Sequence, residues 1–379
     1  MKPALPNQPD LRLQRIDEAR HAVLAEGRPM TGAFIDAWFD GAWIERSWRR
    51  CLANGQRPDE RVAFDVLPSQ ALRRTEEANH PLIQAARPVL DRLGRAIANT
   101  RYFAILTDAQ GIVIDVGGPV DRSDRRAQLI TRIGVDLSER SVGTSAIGAA
   151  LAELQPVWLH RGEHFFNDTS TYSCAGAPLF GPDGGCVGML DLTGIEAVER
   201  PELKHLVTQS ARSIENALTV SRPHKLLVRL NWPGRSMGED ADGLVCLDAD
   251  GWVTGANQVA RQMVPSLGSS STTAVHCSEL FAMPWEMLYD GARQSMADAS
   301  PMEVPLWSGL RLQALPQAPG HEADRGGRAT GTGLPLKDLE TALIRKAVDD
   351  ARGNVMQAAR ALGISRATVY RKLGQNRSR

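Results

Sequence analysis

No stretch of this 379-residue chain approaches the apolar length of a membrane span. The first ten residues lack the charged-then-apolar pattern of a signal peptide, so residence in the cytoplasm is expected. Cysteine is scarce: five residues, at 51, 174, 186, 246 and 277, with no CxxC pair. An odd, widely spaced set suits reduced thiols packed as small core residues better than a disulfide framework or a Cys-based zinc site. The dipeptide Gly-Lys is absent, so the phosphate loop G-x-x-x-x-G-K-[ST] cannot be built and nucleotide hydrolysis through it is excluded. Net charge is also missing, since 44 basic residues balance 44 acidic ones. The balance hides an asymmetry: from Lys337 onward ten basic residues face four acidic ones, which leaves the preceding part acidic by the same margin. A basic tail on an acidic body points to a polyanion at the C-terminal end.

The run from Gly353 to Leu373 reads as two short helices meeting at a glycine. Val355, Ala358, Ala359 and Leu362 recur at helical spacing, Gly363 suits a left-handed helix end, and Ser365 can cap the next helix. In that second helix Ile364, Val369 and Leu373 face inward, leaving Arg366, Thr368, Tyr370, Arg371 and Lys372 outward, the chemistry needed in a DNA major groove. The run is a helix-turn-helix, and it resembles the DNA-binding domain of the Fis family, GN…AA..LGI.R.T.YRKL. The resemblance implies that Ser365, Arg366, Thr368 and Arg371 face bases and phosphates and that Asn354 and Gln357 touch the backbone beside them; Lys372 is added as a phosphate contact. The alternative is a helical hairpin with a solvated basic face. Upstream, Leu336, Leu339, Leu343, Ile344, Ala347 and Val348 form an apolar stripe suited to pairing with a second copy, which in the Fis family joins two subunits. A homodimer on double-stranded DNA with an inverted-repeat operator follows.

Residues 1–78 read as an N-terminal helical segment, with helices over 11–28 and from Ile44 to near Gly55. From 79 to 220 the pattern is mixed: a helix over 81–98, strands at Tyr102–Asp108 and Ile112–Val116, and a helical stretch around Val142–Leu154. Strands at Pro156–His160, Cys174–Phe180 and Cys186–Leu192 and a closing helix from Pro201 to Val220 follow. Hairpins on one antiparallel sheet with flanking helices make an α+β domain. Four stretches carry a further resemblance: Val142–Gly148, Pro156-Val157 with Glu163-His164-Phe165, Cys174–Pro178, and Gly188–Gly194. Together they resemble the GAF sensor of the acetoin-catabolism regulators, bacterial activators whose amino-terminal segment is also echoed by Ser47, Trp48, Arg50 and Cys51 followed by Pro58. The resemblance implies a small-molecule effector in a pocket between the sheet and the segments around 140–175, with Trp158, His164, Phe165 and Cys174 as effector-binding residues. Within it His160, Glu163 and His164 match HxxEH, a zinc-peptidase pattern. That chemistry needs a helix, whereas the histidines sit at a strand end and Gly162 opposes helix, so neither metal nor other cofactor is expected.

After a polar link, Gly243–Leu247 and Val253–Ala256 read as strand, tight turn and strand, followed by a helix capped near Asn257. This looks like the opening of a shortened PAS-like domain, 240–312, completed by a strand pattern at Val304–Leu312. Residues 267–273 read as a loop, and 313–335, rich in Pro, Gly and charge, as a disordered linker before the helix-turn-helix segment, 336–379. Acetoin regulators usually carry an AAA+ ATPase ahead of the helix-turn-helix; neither its phosphate loop nor its GAFTGA loop occurs here. The sequence therefore describes an effector-responsive, DNA-binding transcriptional regulator, not an enzyme, with RNA polymerase or an AAA+ paralogue as further partners and no membrane. The rival is an enzyme using the GAF-like domain, either an HxxEH hydrolase or a thiol reductase at Cys174 and Cys186.

Overall fold

A computed structural model of the chain describes residues 8–29, 42–268, 274–294, 301–319 and 355–356. Two compact units divide it, Met1–Pro319 and Gly320–Arg379. The elements below all belong to the first.

Its larger sheet has the order β2-β1-β5-β4-β3, with every pairing antiparallel. The strands are β1 (Tyr102–Asp108), β2 (Val113–Gly117), β3 (Val157–His160), β4 (Tyr172–Phe180) and β5 (Cys186–Ile195). Helices cover both faces, so the strands are buried almost throughout rather than alternating with solvent. Alternation instead sorts residues between two cores. Phe103, Ile105, Val157, Leu159, Cys174 and Met189 face one cluster. Their neighbours Ala104, Leu106, Ala175, Ala177, Leu190 and Leu192 face the other.

The second face is covered by α3 (Ser69–Ala96) and α7 (Leu203–Val220). The expected start of α3 at position 81 is corrected to Ser69, since the helix runs through both Pro81 and Pro88. Each proline removes a backbone donor. Seven residues apart, both lie on the exposed side, where the released carbonyls reach water, while Leu82, Ala86, Val89, Leu90 and Leu93 hold the opposite side in the core.

The first face is covered by short helices α4 (Arg125–Ile130), α5 (Glu139–Val142) and α6 (Ala146–Glu153), and outside them by α1 (Gln8–Arg20, continued as a π-turn over His21–Ala25) and α2 (Ala42–Ala53). Trp48 and Cys51 of α2 point inward, both fully buried. Beside them Ser47 donates to Glu139 Oε2 at 2.6 Å and Arg50 donates to Glu139 at 2.7 Å and to Glu153 at 2.8 Å. This binds the amino-terminal helices to α5 and α6.

A second antiparallel sheet has the order β8-β7-β6-β10-β9. Its strands are β6 (Leu226–Asn231), β7 (Gly243–Leu247), β8 (Val253–Ala256), β9 (Met302–Pro305) and β10 (Arg311–Gln317). Helices α8 (Gln258–Met263), α9 (Cys277–Leu280) and α10 (Glu286–Gln294) pack on one face. Two expectations fail here. The link before 240 contains the central strand β6, and the segment from 313 begins as β10, paired with both β6 and β9. Leu226, Val228 and Leu230 alternate in a polar context too short to stand out, and Pro316 within β10 reads locally as a breaker. Residues 269–273, 320–354 and 357–379 lie outside the described residues, and with them most of the expected loop, linker, pairing stripe and helix-turn-helix.

The opposite face of this sheet meets the end of α7, where Leu227, Leu244 and Cys246 cluster with Val220. Asn257, the N-cap of α8, donates to Asn216 Oδ1 of α7 at 2.7 Å and to the Asp242 carbonyl at 2.9 Å. Its own Oδ1 accepts from the amides of Leu244 at 2.9 Å and Ala260 at 2.8 Å. The tip of the β4–β5 hairpin docks on the same sheet, the Pro182 carbonyl accepting from the Ala256 amide at 2.9 Å and from Arg261 at 2.6 Å.

Candidate functional site

Between the first face of the larger sheet and helices α4 to α6 the core does not close. The cavity there leaves about 40 Å³ for water-sized occupants, room for about three waters at ~10–15 Å³ each. Its walls are mainly apolar, with Ile105, Ile130, Val142 and Ile147 among them, and its polar groups are His164, Cys174, Asp191, Thr193, Tyr172 and Ser145.

Local sequence explains why these residues converge. Gly143 ends α5 with φ 66°, a conformation that suits glycine, and a Cβ there would meet the Phe166 ring at 2.9 Å. Ser145 then caps α6 by accepting from the Gly148 amide at 3.1 Å, aiming the helix at the sheet. Segment 161–166 carries His164 over the cavity, and the amino-terminal helices fasten it. Trp48 Nε1 donates to the Glu163 carbonyl at 2.9 Å. Arg20 donates to the carbonyls of Gly162 at 2.9 Å, His164, and Phe165 at 3.0 Å, with its guanidinium over the Trp48 ring.

The polar groups form two hydrogen-bond runs that diverge from the contact between Cys174 and Thr193. His164 Nδ1 lies 2.9 Å from the Arg161 carbonyl, which can only accept, so Nδ1 carries the proton. Nε2 is then an acceptor, 3.5 Å from Cys174 Sγ, and the thiol donates to it. Cys174 Sγ lies 3.3 Å from Thr193 Oγ1, and Thr193 donates to Asp191 Oδ2. Asp191 Oδ1, fully buried, has no hydrogen-bond partner among the described residues. Burial sets the charge states. It lowers the His164 pKa to about 4, keeping the ring neutral, raises the Cys174 thiol well above its usual value, and lifts the Asp191 carboxyl to about 7.

Of the four expected effector residues, His164 and Cys174 meet in this cavity. Trp158 does not: it projects from β3 toward the other core, on the opposite face of the sheet, because strand residues alternate and its neighbours Val157 and Leu159 face the cavity side. Phe165 is buried edge-on against Phe166, ring centroids 5.1 Å apart, outside the cavity wall. Asp191 and Thr193 were missed as site residues, although an acidic residue inside the apolar run Met189-Leu190-Asp191-Leu192 is a readable signal.

The rival chemistries do not assemble. His160 ends β3 and Glu163 lies in a 3-10 turn, where its Oε2 accepts from the His160 amide at 2.5 Å, and His160 Nδ1 lies 2.7 Å from Ser173 Oγ. The HxxEH residues therefore share no helix face, and no group of three or more His, Cys, Asp and Glu side chains suited to a metal occurs among the described residues. Cys174 pairs across the hairpin with Thr193 but Cys186 with Phe180, which separates the thiols by roughly 20 Å at ~3.4 Å per residue. No described helix is long and apolar enough to cross a membrane. The expected DNA contacts, Asn354, Gln357, Ser365, Arg366, Thr368, Tyr370, Arg371 and Lys372, lie outside the described residues.

Comparison with known proteins places this geometry in context. Residues 31–216 match the MimR N-terminal domain, and residues 335–375 match the Fis family of bacterial regulatory proteins. The acetoin catabolism regulatory protein of Cupriavidus necator is 33% identical over 233 residues, 59% of this chain and 34% of that protein. The propane 2-monooxygenase operon transcriptional activator MimR of Mycolicibacterium goodii is 29% identical over 177 residues, 46% of this chain and 29% of that protein. The chain thus spans about a third of the length of the curated relatives it matches. Among solved structures, the E. coli DhaR(N)–DhaL complex matches with TM-score 0.44 and 15% identity, covering 73% of this chain and 99% of that one. The chain is similar to the acetoin-regulator and MimR transcriptional activators, with a MimR-type N-terminal region and a Fis-type C-terminal segment.

Proposed function

We propose that this chain, similar to transcriptional activators at both ends, is a DNA-binding transcriptional regulator whose sensor answers to a small molecule held in the His164–Cys174–Asp191 cavity. The observation that carries the reading is the union, in one chain, of a MimR-type N-terminal region and a Fis-type segment. Asn354, Gln357, Ser365, Arg366, Thr368, Tyr370, Arg371 and Lys372 serve as the DNA contacts, in a homodimer joined through the stripe at Leu339, Leu343, Ile344 and Val348. Effector binding shifts the population of DNA-competent dimers. Without a Gly-Lys dipeptide the chain does not hydrolyse ATP through a phosphate loop, so it acts by occupying its operator or by recruiting polymerase or an AAA+ paralogue.

The test is capture of genomic fragments on purified full-length protein, followed by fluorescence anisotropy on the enriched sequence and on a scrambled one. Regulator function requires enrichment of discrete inverted repeats and at least tenfold preference over the scrambled DNA. Equal affinity for both overturns it.

A further inference from the structure

The polar groups of the cavity donate outward, in two directions, from the contact between Cys174 and Thr193. Arg161 contributes a carbonyl, His164 donates to it, Cys174 donates to His164, and Thr193 donates to Asp191 Oδ2. Each of these donors is spent, and the run through Thr193 ends on a buried oxygen with nothing to accept from, Asp191 Oδ1. Such an acceptor destabilises the fold if left unfilled. A group inside the cavity is placed to fill it, since Asp191 forms part of the wall.

From this we infer that Asp191 is the recognition residue of the sensor, and that the ligand it selects is a small uncharged molecule bearing a hydroxyl group, which donates to Oδ1 while its carbon skeleton rests on Ile105, Ile130 and Ile147. The inference rests on the proposed sensor role and names its ligand class. Charge excludes the neighbouring classes. A carboxylate ligand meets the Asp191 carboxyl with no cationic side chain on the cavity wall to offset it. A cationic ligand is stripped of water among Ile105, Ile130, Val142 and Ile147 with the Asp191 carboxylate as its single counter-charge and no further polar partner left over among the described residues, and the desolvation cost outweighs that pairing. A ketone brings only an acceptor and leaves Asp191 Oδ1, ionised above about pH 7, unfilled. The space sets the size, of the order of three to four non-hydrogen atoms at ~10–15 Å³ each.

At pH 8.5, where the Asp191 carboxyl is ionised, four probes of equal size separate these cases on the full-length protein: propan-1-ol, propanone, acetate and propylamine, with affinity read by saturation-transfer NMR titration. Propan-1-ol is expected to bind at least tenfold more tightly than the other three. Asp191→Ala, which removes the acceptor without filling the cavity, is expected to abolish that preference while propanone binding stays within about twofold. Circular dichroism melting verifies that the variant is folded, and Asp191→Asn, which keeps an oxygen acceptor, is expected to restore part of the preference. Tighter binding of propylamine or acetate, or an alcohol preference that survives Asp191→Ala in folded protein, overturns the assignment. Propan-1-ol bound in an Asp191-dependent way without any change in DNA affinity sinks the proposed regulation instead and leaves the ligand class standing.

Discussion

Two residues in and beside the cavity separate charge from packing. Burial raises the Asp191 carboxyl to about 7 while His164 and Cys174 beside it stay neutral, and Tyr172, also on the wall, is raised beyond ordinary titration. Between the ordinary carboxylate range and pH 7 the folded protein therefore holds a proton on Asp191 that the unfolded chain releases, so this group's contribution falls as pH rises through that window. Glu215, lifted to about 7 by burial, acts in the same direction. His164, lowered to about 4, acts oppositely, adding stability as pH rises from 4 toward its unfolded value. The urea midpoint should decline from pH 5.5 to 7.5, and the decline should be shallower in Asp191→Asn; an unchanged slope would mean Asp191 is not protonated in the folded state. Trp48 tests packing. It is fully buried and its indole holds the Glu163 carbonyl, so Trp48→Ala should cost about 3–5 kcal/mol in urea unfolding. A loss below about 1 kcal/mol would show that the amino-terminal helices do not fasten segment 161–166.

Among elements, the turn from α5 to α6 and the N-cap of α8 are sensitive to substitution, the first through backbone strain and the second through its hydrogen bonds. Gly143 combines φ 66° with ψ −158° and packs against Phe166. Gly143→Ala is expected to lose about 1–3 kcal/mol from backbone strain alone, and ligand affinity with it, because α6 and segment 161–166 meet there. The VGTSAIG stretch identified the position, and the phenylalanine contact explains it. Asn257 was legible as a cap, and Ala260 N does donate to it. Its amide also bridges α7 to the second sheet through Asn216, a contact between residues 41 positions apart. Asn257→Ala should cost about 2–4 kcal/mol and split one unfolding transition into two by calorimetry. A single transition at lower temperature would confine Asn257 to its cap.

For the whole molecule, DNA recognition is the property to measure. Two Fis-type segments joined through the 339–348 stripe should present recognition helices about 34 Å apart, matching inverted half-sites one turn of duplex apart. Arg366→Ala should weaken specific binding by about 1–3 kcal/mol and relax preference at one base pair in each half-site. Lys372→Ala should weaken specific and scrambled DNA alike and reduce the salt slope by about one unit. If Arg366→Ala weakens both DNAs equally, specificity comes from DNA shape or dimer spacing.

Local chemistry was enough to write the α+β character of the sensor, the hairpin of β4 and β5, the inward Trp48 and Cys51 and the cap at Asn257, because period, turn residues and caps act over a few positions. It was also enough to bring out the Fis pattern, a short-range array of outward side chains. Only tertiary structure decided that α3 runs through Pro81 and Pro88, since the apolar side that outweighs two missing donors is buried by strands from elsewhere in the chain. It also decided that β6 and β10 enter the second sheet, that Trp158 turns away from the cavity, and that Asp191 ends a hydrogen-bond chain without a donor. Strand pairing and sheet face are set by partners far apart in sequence, and whether a carboxyl is satisfied depends on every group that folding brings beside it.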